Sequence, residues 1–319
     1  LAGGSKRLKI NQLFIMQLNR RKFINRVGAA AAGALILPQW ACQSGEQKTA
    51  AAATETAAAA AQPSLQNFGI QLYTVRDVIP ADPKGTIKQL ADYGYTQIES
   101  YEGEQGMFWG MSNTEFKQYL DGLGLTCVSS HCDINKDFEK KAAQAAEIGM
   151  KYLISPWVGP QKTLDDYKKI ADSFNAKGEI CKANGIRFAY HNHDYTFVEL
   201  EGQMPQDVLM ANTDPGLVDY EMDIYWVVTP GADPIAWLQK YPNRWRLCHV
   251  KDRMKAVPQA EKEASCDLGT GQIDYPKILK AAQGAGMQFY IVEQEKYENS
   301  TPMQSAQVDA NYMKNLVFS

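Results

Sequence analysis

The chain has 319 residues, 45% of them hydrophobic, and a net charge of −3. That length and apolar content suit one large α/β barrel behind a leader rather than one small domain. The first 42 residues carry seven Lys/Arg and no acid, leaving 26 basic against 36 acidic residues, a balance of −10 that argues against a groove for nucleic acid.

In chain order, Met16 has the look of a start. A basic stretch with Arg20-Arg21-Lys22-Phe23 follows, then an apolar run from Val27 to Leu37, then Ala41-Cys42. This is the layout of a secretory signal, and the arginine pair resembles the twin-arginine type, which exports folded proteins. The run is too short to span a bilayer permanently; a buried helix over 27–37 is the alternative. The expectation is a periplasmic protein. Cys42 is a candidate lipid anchor that would attach it to a membrane, although Gln39 stands where such processing sites carry an apolar residue. Residues 43–64, rich in Ala, Thr, Gln, Ser and Glu, cannot bury a core and are expected to form a disordered tether. The folded domain is predicted over 65–319.

From there strand and helix patterns alternate. Strands are predicted at 68–73, 96–100, 125–130, 152–156, 186–192, 217–224, 245–250 and 289–293. Helices are predicted at 86–93, 114–123, 138–148, 164–183, 204–211, 234–240, 275–283 and 304–317. Several helices stop at a glycine that leads into the next strand, as at Gly94, Gly124, Gly149, Gly185 and Gly286. Eight βα units make a (β/α)8 TIM barrel of the α/β class. An open doubly wound sheet is the weaker alternative, because no G-x-G-x-x-G follows the first strand.

Barrel chemistry sits at the C-terminal ends of the strands. The segment Ile186–Asp194, I-R-F-A-Y-H-N-H-D, ends a strand in His191, Asn192 and His193, and alternation puts both imidazoles on one face, about 6–7 Å apart along the backbone. The other two of the four histidines, His131 and His249, also end apolar runs. Their neighbours at strand ends are Glu99, Asp133, Trp157, Glu221, Asp223, Trp226, Lys251, Asp252, Glu293 and Glu295. Imidazoles and carboxylates from adjacent strands suit one divalent ion such as Mn, Co, Zn or Mg. Six cysteines form no C-x-x-C pair, so no zinc knuckle or thioredoxin motif is indicated; Cys127, Cys181 and Cys248 fit small buried apolar positions.

The order Y-H-N-H-D, D-Y-E-M-D-I-Y-W, H-V-K-D, G-T-G-x-I-D-Y-x-x-I-L and Y-I-V-E-Q resembles the xylose-isomerase-like TIM-barrel superfamily. That group comprises the sugar phosphate isomerases/epimerases, with inosose dehydratases and ketose 3-epimerases as relatives. The resemblance implies one metal held by a residue from each of strands five to eight, usually Glu, Asp, His and Glu. Asp223, His249 and Glu293 match the last three. The first departs: His191 stands in place of Glu, with His193 two residues on as a substitute. The implied activity is that of a metal-dependent sugar isomerase or epimerase acting through an enediolate on a keto-sugar or sugar derivative. Glu293, His193, His131 and Glu99 are candidate bases. Lys251 would bind substrate or protonate a leaving group, unless it is a surface lysine. A lyase or dehydratase acting on a keto-sugar or keto-glycoside is the alternative, since one carboxylate is lost; a non-catalytic sugar-binding lipoprotein is another. A nuclease is a distant fourth. The partner is a small carbohydrate, with Trp109, Trp157 and Trp226 as ring platforms and Asn192 as a polar contact. Export argues for an unphosphorylated sugar. Gly269 and Gly271 suggest a mobile loop that approaches a ligand.

Overall fold

The computed structural model describes residues 62–319. The predicted leader over 1–42, Cys42 and nearly all of the tether lie outside the described residues.

Eight parallel strands close into a barrel: β1 (Gly69–Gln71), β2 (Gln97–Tyr101), β3 (Thr126–His131), β4 (Tyr152–Ser155), β5 (Arg187–His191), β6 (Val218–Asp223), β7 (Trp245–Val250) and β8 (Phe289–Val292). Each pairs with its neighbours in sequence, and β1 pairs with both β2 and β8 to complete the ring. At that seam Gly69 lies opposite Ile291, and a Cβ on Gly69 would stand 2.5 Å from the Ile291 Cδ1, so the close approach needs glycine. The first strand is shorter than its apolar run suggests. The Gln71 side chain accepts from the Tyr73 amide and turns Leu72–Val75 into a 3-10 helix, which ends the ladder early.

Nine helices are described: α1 (Pro83–Tyr93), α2 (Asn113–Gly122), α3 (Phe138–Glu147), α4 (Leu164–Ala183), α5 (Pro205–Asn212), α6 (Ile224–Val228), α7 (Pro234–Lys240), α8 (Tyr275–Gly284) and α9 (Pro302–Asn315). The short α6 begins at Ile224, the last residue of the predicted strand 217–224. Apolar residues at helical spacing place one stripe of each long helix on the barrel. In α4 the buried positions are Leu164, Tyr167, Ala171, Phe174, Gly178 and Cys181. The Phe174 ring lies 5.2 Å from Phe188 and 5.1 Å from Tyr190, the outward residues of β5. Each fully buried aromatic contributes roughly 1.5–3 kcal/mol, and this pair fixes the strand that ends in His191. Gly94 closes α1 in the left-handed region at φ 99°, leading directly to β2.

The main apolar core lies between helices and sheet, while Tyr152, Ile154, Ala189 and Leu247 form a small separate cluster. Alternation on β5 and β7 puts His191 two residues beyond Ala189 and His249 two beyond Leu247 on the same face, so the barrel interior is apolar below and ionisable above. After β7 the chain departs from simple βα order. Asp252–Arg253 pairs antiparallel with Ser265–Cys266, and the segment from Leu268 to Tyr275 folds over the end of β7.

Candidate metal centre

His191 ends β5, Asp223 ends β6, His249 is the penultimate residue of β7, and Glu293 follows β8. All four are at most 4% exposed. The His191 Nε2 is 3.4 Å from the Asp223 Oδ2, and the His249 Nδ1 is 3.2 Å from the Glu293 Oε2 and 3.6 Å from the Asp223 Oδ2. One donor atom from each residue lies within 4.8 Å of all the others.

Three of the donors are aimed by a partner behind them. His191 Nδ1 faces the Pro156 carbonyl at 3.3 Å. A proton on that nitrogen leaves the Nε2 lone pair toward Asp223. His249 Nε2 faces the Glu99 Oε1 at 2.7 Å, which leaves Nδ1 toward Asp223 and Glu293. The Asp223 Oδ1 caps α6 by accepting from the Trp226 amide at 3.1 Å, and only Oδ2 faces the other donors. Asn192 spans β5 and β6: its Nδ2 donates to the Asp223 carbonyl at 3.2 Å, and its Oδ1 accepts from the Asp223 amide at 3.1 Å.

Lys251, 1% exposed, places Nζ 2.8 Å from Asp223 Oδ2, Glu293 Oε2 and Glu295 Oε1. Burial opposes its charge, but these carboxylates keep its pKa well above the usual lysine range. Burial likewise pushes the Glu293 and Asp223 carboxyls up, and the Lys251 ammonium and nearby imidazoles more than reverse this, so both are ionised.

The Lys251 backbone is held as firmly as its side chain. Its amide donates to the Tyr275 hydroxyl at 2.7 Å, and that hydroxyl donates to the Lys251 carbonyl at 2.6 Å. Next along the chain, the Asp252 carboxylate accepts from the amides of Arg253, Gly269, Gly271 and Ile273 at 2.8–3.1 Å. A Cβ on Gly271 would lie 2.1 Å from the Asp252 Oδ1. The G-T-G-x-I-D-Y segment is thus a brace for the end of β7. The expectation of a mobile, ligand-approaching loop is corrected: four amides converge on one carboxylate and hold it in place.

A second group lies deeper. His131 Nε2 is 2.7 Å from Glu221 Oε2 and 3.3 Å from Glu99 Oε1. Glu99 also accepts from Gln71 Nε2 at 2.8 Å and from Ser129 Oγ at 2.6 Å. Burial raises the Glu99 carboxyl, yet His131 and His249 outweigh it and hold the group at about 2. Glu221 is the opposite case: burial and the Glu99 charge push it well above the carboxylate range. The pair therefore keeps one negative charge.

A cavity of about 340 Å³ reaches two of the four donors, His191 and Glu293, and is lined also by His131, His193, Trp157 and the Tyr73–Tyr101 edge-to-face pair, among others. Trp157 is 56% exposed and meets the His193 ring edge-on at 4.5 Å. Behind His193 stacks Trp226, at 5.3 Å. The His193 Nδ1 is buried and has no hydrogen-bond partner. Burial, with the nearby Lys251 ammonium, holds His193 well below the usual histidine range, as a neutral imidazole.

The structure brings together His131, His191, His193, His249, Asp223, Glu293 and Lys251. It separates others. Glu99 is fully buried beneath the site and reaches the donors through His249, so direct contact with a substrate is corrected to support of that ring. Asn192 spends its amide on the Asp223 backbone instead of facing the cavity. Trp109 is 3% exposed, donates from Nε1 to Ser100 Oγ at 3.1 Å and packs on Tyr101 behind the wall. Trp226 backs His193 and lies outside the cavity lining. The surface-lysine alternative for Lys251 is excluded by its burial. Missed as wall residues were Tyr73 and Tyr101, and as supports Gln71 and Ser129. The rule that strand ends carry the chemistry, applied to β1 and β2, points to Tyr73 and Tyr101.

A closed (β/α)8 barrel with two carboxylates and two imidazoles converging at its C-terminal mouth defines a TIM-barrel protein with a group of side chains that could hold a metal ion. The family model for the xylose isomerase-like TIM barrel matches residues 87–316, and the chain belongs to that family. Inosose dehydratases of Clostridium beijerinckii and Clostridium perfringens are 29% and 27% identical over 164 residues, which is 47% of this chain. The match spans about half the length of these curated relatives, 54% in each. The crystal structure of a sugar phosphate isomerase/epimerase from Parabacteroides distasonis is similar with a TM-score of 0.69 at 28% identity, over 83% of this chain and 98% of that one.

Proposed function

We propose that this protein is a divalent-metal-dependent enzyme of the sugar isomerase/epimerase type, which removes the proton beside the carbonyl of a keto-sugar or sugar derivative. The observation that carries this is the convergence of His191, Asp223, His249 and Glu293 beneath a cavity walled by imidazoles and aromatic rings. Two carboxylates and two imidazoles, with His191, Asp223 and His249 each oriented by a hydrogen bond on the far side, fit a Zn, Mn or Co ion. When bound, such an ion supplies Lewis-acid stabilisation of the charge that develops on the sugar oxygens. The chain's own residues supply the rest. His193, a neutral imidazole lining the cavity, takes a proton from the cavity side. Glu293 stands at the opposite wall as the second proton-transfer group. Trp157 offers a face to the sugar ring, and burial excludes bulk water from the carboxylates.

The same enediolate is either reprotonated or expels a neighbouring oxygen. The second outcome is a dehydratase or lyase reaction, with Lys251 positioned beside the base at 2.8 Å from Glu293. The named activity of the Clostridium relatives supports it. The test is NMR in D2O with the full chain, each candidate metal and a panel of keto-sugars and keto-glycosides. Exchange without net loss supports epimerisation or isomerisation; release of water or an alcohol supports the lyase. No metal uptake and no exchange across the panel refute the enzyme and leave a sugar-binding protein.

A further inference from the structure

A second cavity of about 240 Å³ adjoins the first, and the two share Tyr73 and Glu295 as a common wall. They lie on either side of one charged triangle. Glu293 lines the first cavity, Lys251 the second, and Glu295 both, with Lys251 Nζ bonded at 2.8 Å to each glutamate. A molecule reacting over Glu293 therefore has only the Tyr73–Glu295 wall between it and further space.

The lining decides what fits. Cations surround this cavity, yet each is engaged. Arg76 donates to the carbonyls of Tyr73 and Glu295 at 3.1 and 2.8 Å. Lys262 is paired with Asp194, and Lys296 donates to the Glu263 carbonyl at 2.9 Å. Lys251 is shared among three carboxylates. A neutral group rich in hydroxyls meets donors and acceptors on every side and the exposed face of Tyr73, which is 41% accessible.

We infer that the second cavity is a subsite for a glycosyl substituent, so that the substrate is a keto-sugar carrying a second sugar ring rather than a free monosaccharide. This rests on the proposed reaction only for the word keto; the subsite itself is tested by binding. Saturation-transfer NMR on the metal-loaded full chain would use lactulose and isomaltulose, with D-fructose as their common free ketose. The non-ketose ring of at least one disaccharide should receive saturation, and that disaccharide should bind about tenfold more tightly than D-fructose, close to 1.4 kcal/mol. Glu263→Trp and, independently, Lys296→Trp project an indole from the rim into the cavity and should reduce that advantage to about twofold or less. Saturation confined to the fructosyl ring, equal affinities, or no binding of either disaccharide would overturn the subsite. Deuterium exchange on the same samples separates the two ideas: binding through both rings without exchange removes the reaction and keeps the subsite, and exchange with only one ring in contact does the reverse.

Discussion

Replacing Glu99 by Gln probes how the metal site is held without touching a donor. The Glu99 Oε1 faces the His249 Nε2 at 2.7 Å, and Oε2 accepts from Ser129 Oγ at 2.6 Å. Glutamine keeps the shape, its carbonyl still accepts from His249, and its amide turns to the Ser129 oxygen. What is lost is the charge that favours a proton on Nε2 and leaves the Nδ1 lone pair toward Asp223 and Glu293. Removing such a partner typically lowers metal affinity 10–100-fold, or about 1.4–2.7 kcal/mol. Competition between the protein and a chromophoric chelator for Zn or Co measures this directly, and thermal unfolding of the metal-free protein serves as the control. We expect the affinity loss with a Tm within about 3 °C of wild type. Unchanged affinity with a preserved fold would show that the Glu99 charge does not govern His249 and refute the reasoning.

The other predictions concern separate parts of the molecule. His191→Ala should lower metal occupancy at least tenfold, while His193→Ala keeps the metal and loses mainly kcat, by about 10²–10⁴-fold; metal analysis beside kinetics distinguishes them, and the reverse pattern would exchange their roles. Asp309, buried in α9, accepts from the Leu268 amide through Oδ1 at 2.8 Å but leaves Oδ2 unpartnered, and burial raises its pKa well above the carboxylate range. The folded state thus retains a proton that the unfolded state releases above about pH 4, so this group's contribution is lost as pH rises toward the folded value. Asp309→Asn should therefore stabilise the protein more at pH 8 than at pH 5, by roughly 2–4 °C in Tm for about 1 kcal/mol, and an equal effect at both pH values would contradict this. The sequence up to Cys42 is proposed to direct export: cell fractionation should find the mature protein in the periplasm or attached to a membrane, and a full-length cytoplasmic product would count against it.

The barrel was legible because parallel strands buried on both faces are short apolar runs, and glycine marks where a helix hands over to the next strand. The donors were legible because ionisable residues at the ends of such runs have few structural uses. Orientation beyond the strand ends was not. Trp109 sits at φ 55°, in a loop that turns its ring inward, and no periodicity announces that. Asn192 alternates away from His191 and His193, and its attachment to β6 depends on strand register, which is a long-range property. The hairpin after β7 and the Asp252 brace likewise join residues far apart in sequence. The G-T-G spacing showed where backbone had to come close to something; that the something was a neighbouring carboxylate required the fold.

Asp223 divides its two oxygens between different tasks, one ending β6 by capping α6 and the other facing the donor group. This leaves the position almost no evolutionary freedom. Asparagine keeps the cap and gives up the charge. Glutamate keeps the charge, but its extra methylene carries the carboxylate away from the first turn. Serine caps but has no second oxygen to offer. Because α6 carries Trp226 against His193, a lineage that abandons metal chemistry here would also have to rebuild the wall of the cavity. A descendant retaining the barrel but binding sugars passively should therefore keep this aspartate longer than it keeps His191 or Glu293.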